Sequence, residues 1–214
     1  MKKSEIISEK AAKILLDIQA VKFNITEPFL LTSGKRSPVY CDCRKIISFP
    51  NERNFLINSA IKILKDQAFF NSIDVVAGGE TAGIPFASFL AEKLNLSMIY
   101  IRKKTKEFGR KKKIEGSLDH YKKVILVEDL ITDGGSKIDF IETLLKEKSE
   151  ILCILVIFNY GIYGDYFLNK ESKIKLLYLT NWKYIINEAY RRKLLKSNER
   201  DIVKKFLDDF GVKS

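Results

Sequence analysis

Apolar positions along the chain switch between two periods, and the switching predicts an order of elements before any residue chemistry is considered. Ile7, Ala11, Ile14, Leu15 and Ile18 fall at helical spacing, which predicts an amphipathic helix over residues 4–18. Extended segments are predicted at 29–31 and 39–43, separated by the turn-forming Ser33-Gly34. Phe55, Ala60, Ile61 and Leu64 predict a second helix over 51–68, and the short apolar run 73–77 has the length of a buried strand. Gly78-Gly79 then turns the chain into a helix over 83–93. Strands at 98–101 and 124–128, a helix over 135–146, strands at 151–158 and 174–179, and helices over 182–192 and 198–210 complete the order.

Strands alternating with helices of this length imply right-handed βαβ units, hence an α/β fold with a mostly parallel central sheet flanked by helices. In such sheets a ligand sits beyond the carboxyl ends of the strands. At 214 residues and 46% hydrophobic content the chain can bury one substantial core. It has no internal repeat, low-complexity tract or Pro/Gly/Ser-rich linker, so a single domain over 1–214 is expected. Within it, residues up to about 70 are expected to form a small N-terminal lobe, about 71–180 the α/β core, and 181–214 C-terminal helices.

The opening MKKSEIISEK has two lysines but no apolar run, and no window approaches the roughly 18 apolar residues of a membrane span. Three cysteines, Cys41, Cys43 and Cys153, make an odd number, which argues against a disulfide framework and for a reduced, cytoplasmic location. Cys41 and Cys43 resemble half a zinc site, but His120 is the sole histidine and there is no second pair, so two thiols on one face of a strand are expected. The net charge of +11 raises nucleic acid as a partner, yet lysine is scattered along the whole chain. One run is concentrated, RKKTKEFGRKKK at 102–113, and it needs its own explanation.

The most informative stretch is VILVEDLITDGGSK, 124–137. Four apolar residues make a buried parallel strand, so Glu128 and Asp129 are expected to emerge at its carboxyl end, where two carboxylates can accept hydrogen bonds from a pair of ribose hydroxyls. The loop that follows offers backbone N–H groups, the hydroxyls of Thr132 and Ser136, and close approach at Gly134 and Gly135, all at a helix N-terminus. That is a cradle for a monophosphate. A plain βα turn capped by Asp133 is the simpler alternative, while a Walker-type loop fails because its spacing is missing.

Residues 124–136 resemble the phosphoribosyl-pyrophosphate motif of type I phosphoribosyltransferases. SGKRSPVYCDCRKIISFP (33–50), GGETAGIPFAS (78–88) and RKKTKEFG (102–109) occur in the order and spacing of orotate phosphoribosyltransferases, notably a bacterial subgroup, so the likeness spans roughly residues 20–140. The resemblance implies a type I phosphoribosyltransferase fold with an N-terminal hood and a mobile basic lid loop. It implies transfer of a phosphoribosyl group to orotate with Mg²⁺, by a homodimer whose lid is shared across subunits, with neither nucleic acid nor membrane as a partner. Carried over residue by residue, it assigns catalysis to Lys106, Asp129 and Glu128. Phosphoribosyl pyrophosphate falls to Arg102, Lys103, Lys106 and the run Glu128, Asp129, Leu130, Ile131, Thr132, Asp133, Gly134, Gly135 and Ser136. Orotate falls to Thr132, Tyr40 and Ser33, with Lys35 added here as a replacement cation. Mg²⁺ keeps several waters and is held mainly through the substrate, with Asp129 the candidate carboxylate and no dedicated protein cage.

The chain departs from better-known members at Thr32, where many have lysine, at Ala82 for lysine, at Phe108 for a loop histidine, and at Glu128 for the first aspartate. The usual Asp-Arg segment, whose arginine pairs with the orotate carboxylate, is replaced by Asn159-Tyr160-Gly161, and Lys35 or Arg36 is the expected substitute. Lys111, Lys112 and Lys113 exceed what a lid needs and are expected to be solvated. Tyr40 is equally consistent with a core aromatic. Two rival functions stay open at this point: a phosphoribosyltransferase for a purine or uracil, and a non-catalytic regulator that keeps the fold.

Overall fold

The computed structural model describes residues 3–30, 34–104, 113–119, 122–132, 134–169 and 172–212. The chain opens with α1 (Lys3–Asp17) and four short strands, β1 (Val21–Phe23), β2 (Phe29–Leu30), β3 (Arg36–Ser37) and β4 (Val39–Cys41). These strands pair as two small antiparallel ribbons, β1 with β4 and β2 with β3. A 3₁₀ segment, Cys43–Ser48, leads into α2 (Pro50–Lys65), with Pro50 in the first turn, where its missing N–H costs nothing.

Then come β5 (Val75–Gly79), α3 (Gly83–Leu94), β6 (Ser97–Ile101), β7 (Ile114–Glu115), β8 (Lys123–Ile131), α4 (Gly135–Lys146), β9 (Glu150–Asn159), β10 (Tyr166–Asn169) and β11 (Ser172–Asn181). The helices α5 (Trp182–Arg191) and α6 (Ser197–Asp209) follow. The sheet order is β10-β11-β9-β8-β5-β6-β7. Its inner pairs are parallel and its two edges antiparallel, so the expected mostly parallel sheet is present.

Alternation along β8 splits the core into two clusters, one on each face of the sheet. Ile125 and Val127 join Leu15, Leu56, Phe86 and Trp182 on the face covered by α1, α2, α3 and α5. Val124 and Leu126 join Phe140, Ile141 and Leu144 of α4 on the other. No helix among the described residues is long and apolar enough to cross a membrane.

Several details differ from the sequence-based expectation. The extended segment expected to reach residue 43 stops at Cys41, because Asp42 accepts from the Arg44 N–H (3.1 Å) and caps the 3₁₀ segment. Cys41 and Cys43 therefore do not share a strand face, although both are buried with sulfurs 3.6 Å apart. β8 runs on to Ile131 rather than ending at the acids, held by pairing of Leu130 and Ile131 with Phe158 and Asn159 of β9. Finally, β7 and β10, two and four residues long, are too short for a periodic signal.

Candidate active site

The longer β8 changes the setting of its two acids. Glu128 and Asp129 lie inside the strand, only 4% and 8% exposed, and as neighbours on a strand they point to opposite faces of the sheet. Glu128 faces the α4 side, where Nζ of the equally buried Lys137 sits 2.9 Å from Oε2. Its other oxygen, Oε1, is buried without a hydrogen-bond partner. Room for it comes from missing side chains: a methyl group on Gly79 would overlap Oε1 and the Phe140 ring, and one on Gly83 would lie 2.6 Å from Oε1. Burial pushes the Glu128 carboxyl up to about 7, against the charge and hydrogen bond of Lys137.

Asp129 faces the other side, where the 3₁₀ segment packs against β8. Burial raises its carboxyl as well, opposed first by Lys137, then by backbone N–H groups, then by Arg44. Arg44 is clamped by Asp42, with Nε 2.6 Å from Oδ1 and Nη2 3.0 Å from Oδ2. The neighbouring Cys43 thiol is pushed well up, by its contact with Cys41 and by burial.

After β8 the chain turns at Gly134, whose φ of +75° suits glycine, and whose missing side chain leaves space for Phe167. Gly135 and Ser136 form the first turn of α4, so the positive end of a 12-residue helix faces the region beyond β8. Ile131 is fully buried and its carbonyl accepts from the Tyr160 N–H, so its side chain belongs to the core rather than to a ligand site. Thr132 opens the loop, and Asp133 lies outside the described residues.

The basic residues enter from β6. Arg102 pairs with Glu115 (3.6 Å), and the Lys103 N–H donates to Oε2 of Glu80 (2.7 Å) in the β5–α3 loop, where the Glu80–Thr81 peptide is cis. The Lys103 charge acts on Glu128. Lys106, Phe108, Lys111 and Lys112, with Thr32, Ser33 and His120, lie outside the described residues. Tyr40 is 36% exposed between buried Val39 and Cys41, its ring 5.7 Å from Phe29, so it belongs to the surface of the hood and not to the core. Lys35 holds its ammonium over the Phe210 ring (5.5 Å). Two members of this neighbourhood escaped sequence reasoning. Lys137 was hidden because one lysine in a lysine-rich chain carries no signal, and Arg44 because only folding brings it beside β8.

The phosphoribosyl transferase domain family matches residues 51–175. The orotate phosphoribosyltransferase of Ruegeria sp. (strain TM1040) is 42% identical over 207 residues, 96% of this chain and 92% of that protein. Among solved structures, the orotate phosphoribosyltransferase of Aeropyrum pernix superposes with a TM-score of 0.71 at 26% identity, covering 84% of this chain and 98% of that one. The UMP synthase of Leishmania donovani gives 0.78 at 26% identity, covering 94% of this chain, which spans 42% of that longer protein. With the paired acids, the glycine turn and the helix N-terminus arranged around the end of β8, and with these relatives matching over nearly its whole length, the chain belongs to the orotate phosphoribosyltransferase family of type I phosphoribosyltransferases.

Proposed function

We propose that the chain transfers the 5-phosphoribosyl group of phosphoribosyl pyrophosphate to orotate, giving orotidine 5'-monophosphate and pyrophosphate in pyrimidine nucleotide synthesis. The observation that carries this is the buried Glu128-Asp129 pair ending at a glycine turn and the N-terminus of α4.

Breaking the anomeric C–O bond leaves positive charge on the ribose and negative charge on the departing pyrophosphate, so each end needs its own counter-charge in a site that excludes water. Asp129 and Glu128 serve the ribose: both are buried carboxylates, and Oε1 of Glu128 still has its acceptor capacity unspent. The N–H groups of Gly135 and Ser136, with Thr132, take the 5'-phosphate at the helix end. Arg102 and Lys103, leading into the segment that carries Lys106, supply cations toward pyrophosphate. Tyr40 offers an exposed ring against which a pyrimidine can lie.

The donor set also fits Mg²⁺. It is hard and oxygen-only, with an unpartnered buried oxygen on Glu128. The ion would be held chiefly by the substrate's phosphates, with Asp129 in support, and would neutralise the leaving group. A cytoplasmic homodimer sharing its lids completes the proposal.

Orotate absorbance tests it. With phosphoribosyl pyrophosphate and Mg²⁺ present, orotate is consumed, and Asp129→Asn slows the reaction by roughly 10²–10³, the loss typical of one transition-state contact. No consumption of orotate, alongside turnover of uracil, adenine or hypoxanthine, would reassign the base.

A further inference from the structure

The carboxylate of orotate sits on the ring carbon next to the nitrogen that receives the sugar, so it needs a cation close to the ribose site, and a buried or half-buried carboxylate left unpaired costs much of its binding energy. The segment after β9 does not supply one. Asn159 is 2% exposed and spends its side chain on its own turn, Oδ1 accepting from the Gly161 N–H (2.8 Å) and Nδ2 donating to the Tyr163 carbonyl (3.5 Å). Tyr160 packs edge-on against Phe158 and Trp182. Burial raises the Tyr160 hydroxyl beyond its ordinary range, with Cys41, Cys43 and Tyr40 near enough to add to the shift, which sets this segment beside the hood.

The hood cations differ in what they hold. Lys35 lies over Phe210, Lys45 donates to the Gln19 carbonyl (3.2 Å), and Arg53 donates to the Ile47 carbonyl (2.6 Å). Arg44 is different in both place and geometry. It opens the 3₁₀ segment that abuts β8, and it acts electrostatically on Asp129 while Tyr40 and Asp129 act on it. Asp42 grips it from the side through Nε and Nη2, and this leaves both Nη1 protons and one Nη2 proton, the end-on fork that matches a carboxylate. Its side chain is 60% exposed, so the fork opens to solvent and is reachable by a ligand.

Resting on the orotate reading above, we propose that Arg44, oriented by Asp42, is the residue that pairs with the carboxylate of the pyrimidine and sets preference for orotate over uracil. The side-on clamp matters because a guanidinium fixed beforehand loses less side-chain freedom on binding. Asp42→Asn therefore weakens orotate binding without touching the ligand.

Steady-state kinetics with orotate and uracil on the intact protein, Arg44→Gln, Arg44→Lys and Asp42→Asn test this. The KM for orotate rises roughly 10- to 100-fold in Arg44→Gln, the worth of one charge-assisted hydrogen-bonded pair. The KM for phosphoribosyl pyrophosphate stays within about twofold. The ratio of kcat/KM for orotate over uracil collapses by the same factor, Arg44→Lys restores part of it, and Asp42→Asn loses part of it. An unchanged orotate-to-uracil ratio in Arg44→Gln overturns the assignment, and so does a parallel rise in both KM values. If the unsubstituted protein turns over another base but not orotate, the orotate reading itself falls, and Arg44 with it.

Discussion

Replacing Lys137 by methionine keeps the aliphatic stem on α4 and removes the ammonium that holds Glu128, which makes the buried pair the most informative place to perturb. In the folded protein Glu128 titrates at about 7, raised from 4.5 chiefly by burial, with Lys137 the largest opposing influence. A carboxyl whose folded pKa is raised takes up its proton more readily in the folded state, so stability falls as pH rises from 4.5 toward 7 and is flat above. Above pH 7 the cost in the intact protein is on the order of 3 kcal/mol.

Without Lys137 the folded pKa moves higher still, and the decline continues beyond pH 7. Proton uptake caps the added loss at about 1.36 kcal/mol for each pH unit above 7. The electrostatic loss in Lys137→Met is therefore near zero at pH 6, up to about 1 kcal/mol at pH 8 and up to about 3 kcal/mol at pH 9.5, which approaches the usual cost of unpairing a buried charge. Urea denaturation followed by circular dichroism at those three pH values measures it directly. A loss of equal size at all three, or none at pH 9.5, would refute the reasoning.

Two further outcomes follow from geometry and charge. Gly79→Ala drives a methyl into Oε1 of Glu128 and the Phe140 ring, and thermal unfolding registers a loss of about 1–3 kcal/mol, whereas Gly164→Ala, with open space around it, stays within about 0.5 kcal/mol. Glu188 is held at about 2 by its hydrogen bond to Arg191 and its contact with Arg192, which also reaches Asp17 of α1. Its folded pKa lies below the ordinary value, so the stabilisation is present above pH 4.5 and disappears toward pH 2. Glu188→Gln accordingly melts lower than the parent at pH 7, and the two converge in acid.

Most of this fold was legible because its elements are long and strongly patterned. The helix over 135–146 has the bounds expected from the sequence, since Gly134-Gly135 closes the loop after β8 and helical spacing begins at once. Boundaries failed where a side chain outvoted the pattern: Asp42 capping its own segment ended β4 early, and pairing with β9 carried β8 past the acids. The candidate phosphate loop stands out in the sequence because its residues are contiguous. Lys137 and Arg44 were beyond reach because their roles depend on which face of β8 each acid takes, and on the packing of a 3₁₀ segment some 85 residues earlier in the chain. The paired acids themselves read as one site in the sequence, yet pleating sends them to opposite faces, Glu128 toward Lys137 and Asp129 toward the hood.

The central claim, that the carboxyl end of β8 holds the ribose phosphate, is tested most directly by calorimetric titration of phosphoribosyl pyrophosphate with Mg²⁺. The account predicts saturable binding to the intact protein that weakens at least about tenfold, or about 1.4 kcal/mol, in both Asp129→Asn and Glu128→Gln. Unchanged affinity in both variants would contradict it and move the site away from β8.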